Sequence, residues 1–395
     1  MEETTLCYLT CKNQVLMLHR VKKDHDINAG KWIGVGGHLE AGETPIMCAR
    51  REIYEETGLF VQKLRLRGIV DFFSGKDLGE HMYLYTGEVD SMEVRECNEG
   101  VLHWFPKRDI LQLNLWEGDR IFLRYLAEDR PFFHLSLHYE GDRLVSSKLY
   151  PRVILASQSP RRRELLAQVG IFPEIMPSSA DETSDVTDPR ELVQLLSRRK
   201  ASSVLSDLCL KSGRIENEGS AGSLLSETLY IIAADTVVST AGRVLGKPKT
   251  HEEAFHMVKS LSGSVHQVYT GVTVIRADPT PASSSASLEQ GGEENATEAR
   301  GVISPEDPAV SMESRTFFNE TQVRVVSMTE QEIREYADSS EPMDKAGAYG
   351  IQGSFAAYVE GILGDYTNVV GLPVAHTVKT LKELGYRKIK PYKTG

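Results

Sequence analysis

Three glutamates in the stretch "ARREIYEETGLF" (49–60), Glu52, Glu55 and Glu56, stand three and four residues apart. On a helix they share one face, where like charges repel. Glu55 and Glu56 also precede Gly58, a natural helix terminator, at the end where the helix dipole disfavours anions. Taken alone, such a cluster reads as a solvated acidic face, and Arg51 with Glu55, at i and i+4, as an ordinary helical pair. Clustered oxygen donors have a second use: they hold Mg²⁺ or Mn²⁺, and these cations bind phosphates. Metal charge would cancel the repulsion and outweigh a dipole penalty of roughly 0.3–1 kcal/mol per charge.

A second stretch, "VILASQSPRRRELLAQVG" (153–170), has the opposite problem. Ser159 is a natural N-cap and Pro160 a natural first-turn residue. Arg161, Arg162 and Arg163 then crowd the end of a helix that repels cations. A basic helix start is most often a surface patch. A phosphate would resolve the conflict, because free N–H groups and guanidinium forks both favour it.

The elements that must position these groups follow from patterning. Thr44 and Pro45 start a helix near 45–57 that turns Ile46, Ala49 and Ile53 towards a core and the glutamates away from it. Strand-like runs surround it: "TLCYLTC", "QVLMLHR", "HMYLYTGEV", "LHWFP" and "FHLSLHYEGD", with a second helix near 118–128. From "VILAS" onwards a fresh series of strands and helices runs to "HTVKTLKELGY". The join falls at about 148–151, which gives domains 1–149 and 150–395 with no internal repeat between them. Two polar stretches, 211–227 and 277–314, read as loop inserts. The longer one has too few large apolar residues to offset its ordering entropy and is expected to be disordered.

The 395 residues leave room for two or three domains, and 41% hydrophobic with 26% charged residues is ordinary for a globular protein. A net charge of −11 argues against broad nucleic-acid or anionic-membrane binding. No apolar run nears the roughly 18 residues of a membrane span, and the acidic N-terminus is no signal peptide. The five scattered cysteines read as reduced thiols in a cytoplasmic protein, and Cys7 with Cys11 lacks the second pair a zinc site needs.

From Gly37 the spacing is Gly, five residues, Glu43, seven residues, Arg51-Glu52-Ile53, one residue, Glu55-Glu56, one residue, Gly58-Leu59. This resembles the Nudix hydrolase signature at every fixed position, within a stretch covering about 3–148. The resemblance implies an α+β fold with a mixed sheet between helices, and hydrolysis of a pyrophosphate bond in a nucleoside diphosphate derivative. It implies metal ligation by Glu52, Glu55, Glu56 and the Gly36 carbonyl, with one of these carboxylates or Glu99 as base; Arg51 and Glu43 would orient the loop. "GKWIGVGGHLEAGET" and "NLWEGDRIF" are similar to the oxidised-purine nucleoside triphosphate hydrolases of this family, in which Trp116 and Asp119 would meet the base. The chain departs from that subgroup at Ile33, where a polar Asn contact is lost. Trp116 equally reads as a core aromatic.

"LASQSPRR", "AADTVVSTAGRVLGKP" (233–248) and "DKAGAYGIQG" (344–353) together resemble the Maf family of nucleotide pyrophosphatases over 152–388. The resemblance implies an α/β fold, an ITPase-like mixed sheet with flanking helices, so that the whole chain is α/β. It implies Asp235 as general base or metal ligand, Glu182 as a second metal carboxylate, and Arg161, Lys200 and Lys247 as triphosphate ligands. Ser159 and Arg162 belong to the expected phosphate-binding helix start. "ADT" with "GAYGIQG" looks like the dTTP/UTP-hydrolysing branch, with Thr236, Gln352 and Arg161 setting base preference.

Both halves would thus convert a nucleoside triphosphate to monophosphate and diphosphate with Mg²⁺ or Mn²⁺. Two other readings stay open: a nucleotide-binding regulator of cell division with little turnover, and a first half acting on dinucleotides such as ADP-ribose. The residues do not specify oligomeric state; a homodimer is one arrangement they admit.

Overall fold

The computed structural model describes residues 1–22, 27–74, 79–215, 227–279 and 310–387, which fall into two compact units, Met1–Pro151 and Arg152–Gly395. The first unit contains strands β1 (Glu2–Cys11), β2 (Gln14–Arg20), β3 (Trp32–Ile33), β4 (Leu64–Ser74), β5 (Glu80–Glu88), β6 (Gly100–Pro106), β7 (Phe133–Glu140) and β8 (Arg143–Leu149), with helices α1 (Pro45–Thr57) and α2 (Glu117–Ala127). Among the described residues the sheet order is β3-β2-β1-β5-β4-β7-β8, with β6 also paired to β2. β1/β5 and β4/β7 are parallel and the other pairs antiparallel, so the sheet is mixed.

Successive side chains of a strand point to opposite faces. Cys7, Leu9, Leu16 and Leu18 therefore meet Ala49 and Ile53 of α1, while Tyr8, Met17, Val70 and Leu84 meet Phe122 and Leu123 of α2. The sheet lies between two helices, as expected. β4 and β8 were not among the expected runs. Arg65, Arg67 and Asp71 dilute the apolar signal of β4, and its place is set by the partner strands on either side of it.

The second unit contains β9 (Arg152–Leu155), β10 (Glu174–Ile175), β11 (Leu229–Thr240), β12 (Arg243–Leu245), β13 (Val265–Pro279), β14 (Val310–Val325) and β15 (Val359–Leu363), with helices α3 (Pro160–Gln168), α4 (Pro189–Ile215), α5 (His251–Leu261), α6 (Glu330–Ala337), α7 (Tyr366–Val370) and α8 (Val374–Glu383). The order is β10-β9-β11-β13-β14-β15, with β12 on β11; β9 runs parallel to β10 and β11 and the other pairs are antiparallel. Helix α4 covers one face through Ala201, Val204 and Leu205 against Ile231 and Ala233. The other face, Tyr230, Ile232 and Ala234, meets α3, α7 and α8.

Both polar inserts are shorter than expected. Helix α4 continues to Ile215, and residues 216–226 lie outside the described residues. Strands β13 and β14 pair out to Pro279↔Val310, so 277–279 and 310–314 are strand; the pairing carries them beyond the end of the apolar pattern. The expectation of disorder for the rest, 280–309, falls outside the described residues. No described helix is long and apolar enough to cross a membrane, and all five cysteines are free and buried.

Candidate active sites

Helix α1 starts after Thr44, with Pro45 in its first turn, and ends on Gly58, which is left-handed (φ +75°) and returns its N–H to the Tyr54 carbonyl. Ala49 and Ile53 face the core as expected, but Ile46 is exposed and Glu56, expected on the outer face, is buried. One cation organises most of the acidic groups. Arg51 forks onto Glu43 (Nε–Oε1 2.8 Å, Nη2–Oε2 2.9 Å) and donates through Nη1 to Glu52 (2.6 Å) and Glu55 (3.2 Å). That fork holds Glu43 down to about 2. Its Nη2 also donates to the His38 carbonyl (3.1 Å), so it ties the preceding loop to the helix.

Glu56 receives no such help. It is buried, its Oε2 accepts the Gly36 N–H at 3.0 Å, and its Oε1 has no partner. Burial first, then the nearby Glu99 and Glu52 charges, push its carboxyl up to about 8. Burial likewise raises Glu52. The Glu52 carboxylate fills the space beside Gly37, where a Cβ would stand 2.4 Å from Oε1. Glu99 is paired with Arg20, a residue the sequence did not single out. Among the described residues no three His, Cys, Asp or Glu side chains are already gathered as a metal cage. Yet four neighbouring carboxylates with one orphaned buried oxygen form a donor set that suits a divalent oxygen-seeking cation.

On the other face of the sheet, Trp116 and Asp119 open α2. Trp116 is buried in the core, edge-on to Phe72 and Tyr139, and donates its indole N–H to Asn28 (2.9 Å). Lys31 lies over its ring at 5.0 Å. Asp119 is buried and makes no hydrogen bond among the described residues. Burial pushes it up to about 7, against the pull of Lys31. Ile33 is half-buried and packs within the apolar clusters.

In the second unit the period of β11 divides the chemistry. Asp235 follows Ile231 and Ala233 towards α4, and Thr236 follows Ile232 and Ala234 towards α3. Lys200 of α4 therefore meets Asp235 (Nζ–Oδ1 2.6 Å), and bridges on to Glu182 at 3.0 Å. The ammonium lies where a cation shared by the two carboxylates would lie, so a metal here would compete with it. Arg162 of α3 meets Thr236 (Nη2–Oγ1 3.1 Å), the Gly371 carbonyl (2.8 Å) and Ser157 Oγ (3.1 Å).

Arg162, expected on phosphate, lines the cleft and gives three of its five N–H groups to protein. It clamps three site segments together, and burial lowers its pKa despite Asp235. Ser159 occupies the N-cap position without a side-chain cap bond. Arg161, Lys247 and Gln352 line the same cleft of about 1060 Å³ as Asp235 and Thr236. Lys247 and Gln352 are exposed, and neither side chain makes a hydrogen bond among the described residues. Asp344 and Lys345, which also line it, were missed although the quoted motif contains both; Arg161 approaches Asp344 at 3.7 Å.

The Maf-like protein family model matches residues 152–384, more than half of the chain, and the NUDIX domain model matches residues 3–126. The chain is 39% identical over 234 residues to the dTTP/UTP pyrophosphatase of Agathobacter rectalis, covering 59% of this chain and 98% of that protein. It is 40% identical over 235 residues to the dTTP/UTP pyrophosphatase of Carboxydothermus hydrogenoformans, covering 60% and 100%. A MutT protein structure from Bacillus halodurans matches 38% of this chain and 97% of that one, with 27% identity and a TM-score of 0.35. The chain belongs to the Maf-like family, and a NUDIX domain precedes its Maf domain.

Proposed function

We propose that this chain is a bifunctional nucleoside triphosphate pyrophosphatase, its two activities divided at about residue 150. The second unit would hydrolyse dTTP and UTP, and the first an oxidised purine nucleotide such as 8-oxo-dGTP. The reading is supported above all by the Lys200–Asp235 pair in a cleft that Arg161 and Lys247 also line, around the space a triphosphate would take. The activity of the relatives over the same residues points the same way.

In the second unit, Lys200 fixes Oδ1 of Asp235 and leaves Oδ2 to take a proton from water. The water oxygen bonds to the α-phosphorus, the α–β anhydride bond breaks, and diphosphate leaves with its charge met by Arg161 and Lys247. Thr236, held by Arg162, and Gln352 face the base. In the first unit, Glu52, Glu55, Glu56 and Glu99 would hold Mg²⁺ or Mn²⁺; in the second, a cation on Glu182 and Asp235 would take the place that the Lys200 ammonium holds between them. A bound cation supplies neutralisation of phosphate charge. Below about pH 7, Asp119 would offer a protonated carboxyl group to a purine edge. The free buried thiols suit a reducing, cytoplasmic setting.

The test is a nucleotide panel with the full chain and Mg²⁺ or Mn²⁺, scored by diphosphate release. Glu55→Gln and Asp235→Asn should each remove a different subset of activities. Loss of both subsets with either substitution defeats the two-site reading.

A further inference from the structure

Gln352 sits on the turn Gly350–Gly353, between a non-repetitive segment and the 3-10 turn Ser354–Tyr358. Among the described residues no strand pairing fixes that turn and the Gln352 amide makes no hydrogen bond, so its reach into the cleft depends on what anchors the turn. Glu341, on the short 3-10 turn Glu341–Asp344 after α6, does this from the wall of the same cleft. Its Oε2 accepts the backbone N–H of Ser354 at 2.8 Å and the Ser354 hydroxyl at 2.7 Å. Its Oε1 accepts the hydroxyl of Tyr336 at 3.1 Å.

Tyr336 is buried on α6 against Phe355, with ring centroids 5.0 Å apart, so the carboxylate ties the turn to a rigid aromatic cluster. The fit depends on glycine: a Cβ at Gly353 would stand 2.1 Å from Glu341 Oε1. At the other end, a Cβ at Gly350 would stand 2.6 Å from the Lys345 side chain, whose ammonium is held by Asp344 and the Glu341 carbonyl. Burial would raise the Glu341 carboxyl, but the bonds from Ser354 and Tyr336 more than offset it and leave it below the usual carboxylate range.

We propose that Glu341 is a positioning residue for base selection, acting through the Ser354 anchor to set where Gln352 meets the base. The inference rests on the dTTP/UTP reading of the second unit. Glu341 touches neither Asp235 nor Lys200, so its loss should loosen the base contact and spare the chemistry.

The experiment measures kcat and KM for UTP and ATP on the full chain, for wild type, Glu341→Gln, Gln352→Ala and the double variant. Glu341→Gln should raise KM for UTP and lower the UTP-over-ATP preference by about tenfold, the scale of one charge-assisted hydrogen bond, with kcat for UTP held within about threefold. In the Gln352→Ala background it should add less than about twofold, as expected of two residues acting as one unit. Ser354→Ala, which removes only the hydroxyl donor, should shift preference in the same direction and serves if Glu341→Gln does not fold. An unchanged preference, equal losses of kcat for both nucleotides, or multiplying losses in the double variant overturns the inference alone. Wild-type protein that turns over neither UTP nor dTTP overturns the functional reading beneath it.

Discussion

Asp119→Asn isolates a buried carboxyl group on the α2 side of the first unit's sheet. Burial pushes Asp119 up to about 7, while an unfolded aspartate ionises at about 3.9. Between these values the folded state keeps a proton the unfolded state has lost, so this group lowers stability as pH rises and its effect levels off above about 7. About three pKa units correspond to on the order of 4 kcal/mol, an upper figure because local relaxation softens the cost of a buried charge. Asparagine is neutral throughout. The stability of Asp119→Asn relative to wild type should therefore rise by about 2–4 kcal/mol between pH 4.5 and pH 8. Urea melts read by tryptophan fluorescence fit the purpose, because all three tryptophans, Trp32, Trp104 and Trp116, lie in the first unit. A relative stability that stays the same at both pH values would refute the buried, proton-holding Asp119. The purine KM of wild type should also worsen as pH rises through about 7, and that of the variant should not.

Gly37→Ala pushes a methyl group to within 2.4 Å of Glu52 Oε1, a flexible side-chain end, so the fold should survive while the carboxylate shifts. The expected loss is about 10–100-fold in first-unit diphosphate release, with second-unit activity intact; unchanged first-unit activity would remove Glu52 from the site. Arg162→Lys keeps a charge but not the fork that joins Ser157, Thr236 and Gly371. We expect second-unit stability to fall by about 2–4 kcal/mol, read by hydrogen exchange at α3, with a loss of UTP hydrolysis. A lysine variant of wild-type stability would return Arg162 to the role of a phosphate ligand.

Local chemistry was legible in the sequence wherever neighbours along the chain define it. The i, i+3, i+4 spacing of Glu52, Glu55 and Glu56, the Pro45 start and the Gly58 stop of α1 need only helical geometry, and the short apolar runs of β1 and β11 mark buried strands by themselves. These properties are carried by a few consecutive residues, so no distant contact can alter them without breaking the element. What the fold decided lies across elements. Arg51 satisfies three carboxylates and leaves Glu56 without a partner on one oxygen; Trp116 is enclosed by Phe72 and Tyr139; Arg162 joins Ser157, Thr236 and Gly371. In each case the outcome depends on which side chains come within hydrogen-bonding or van der Waals reach once distant strands pair. Whether a charge meets a partner, solvent or an empty acceptor is a property of three-dimensional neighbourhoods, and residue spacing along the chain does not contain it.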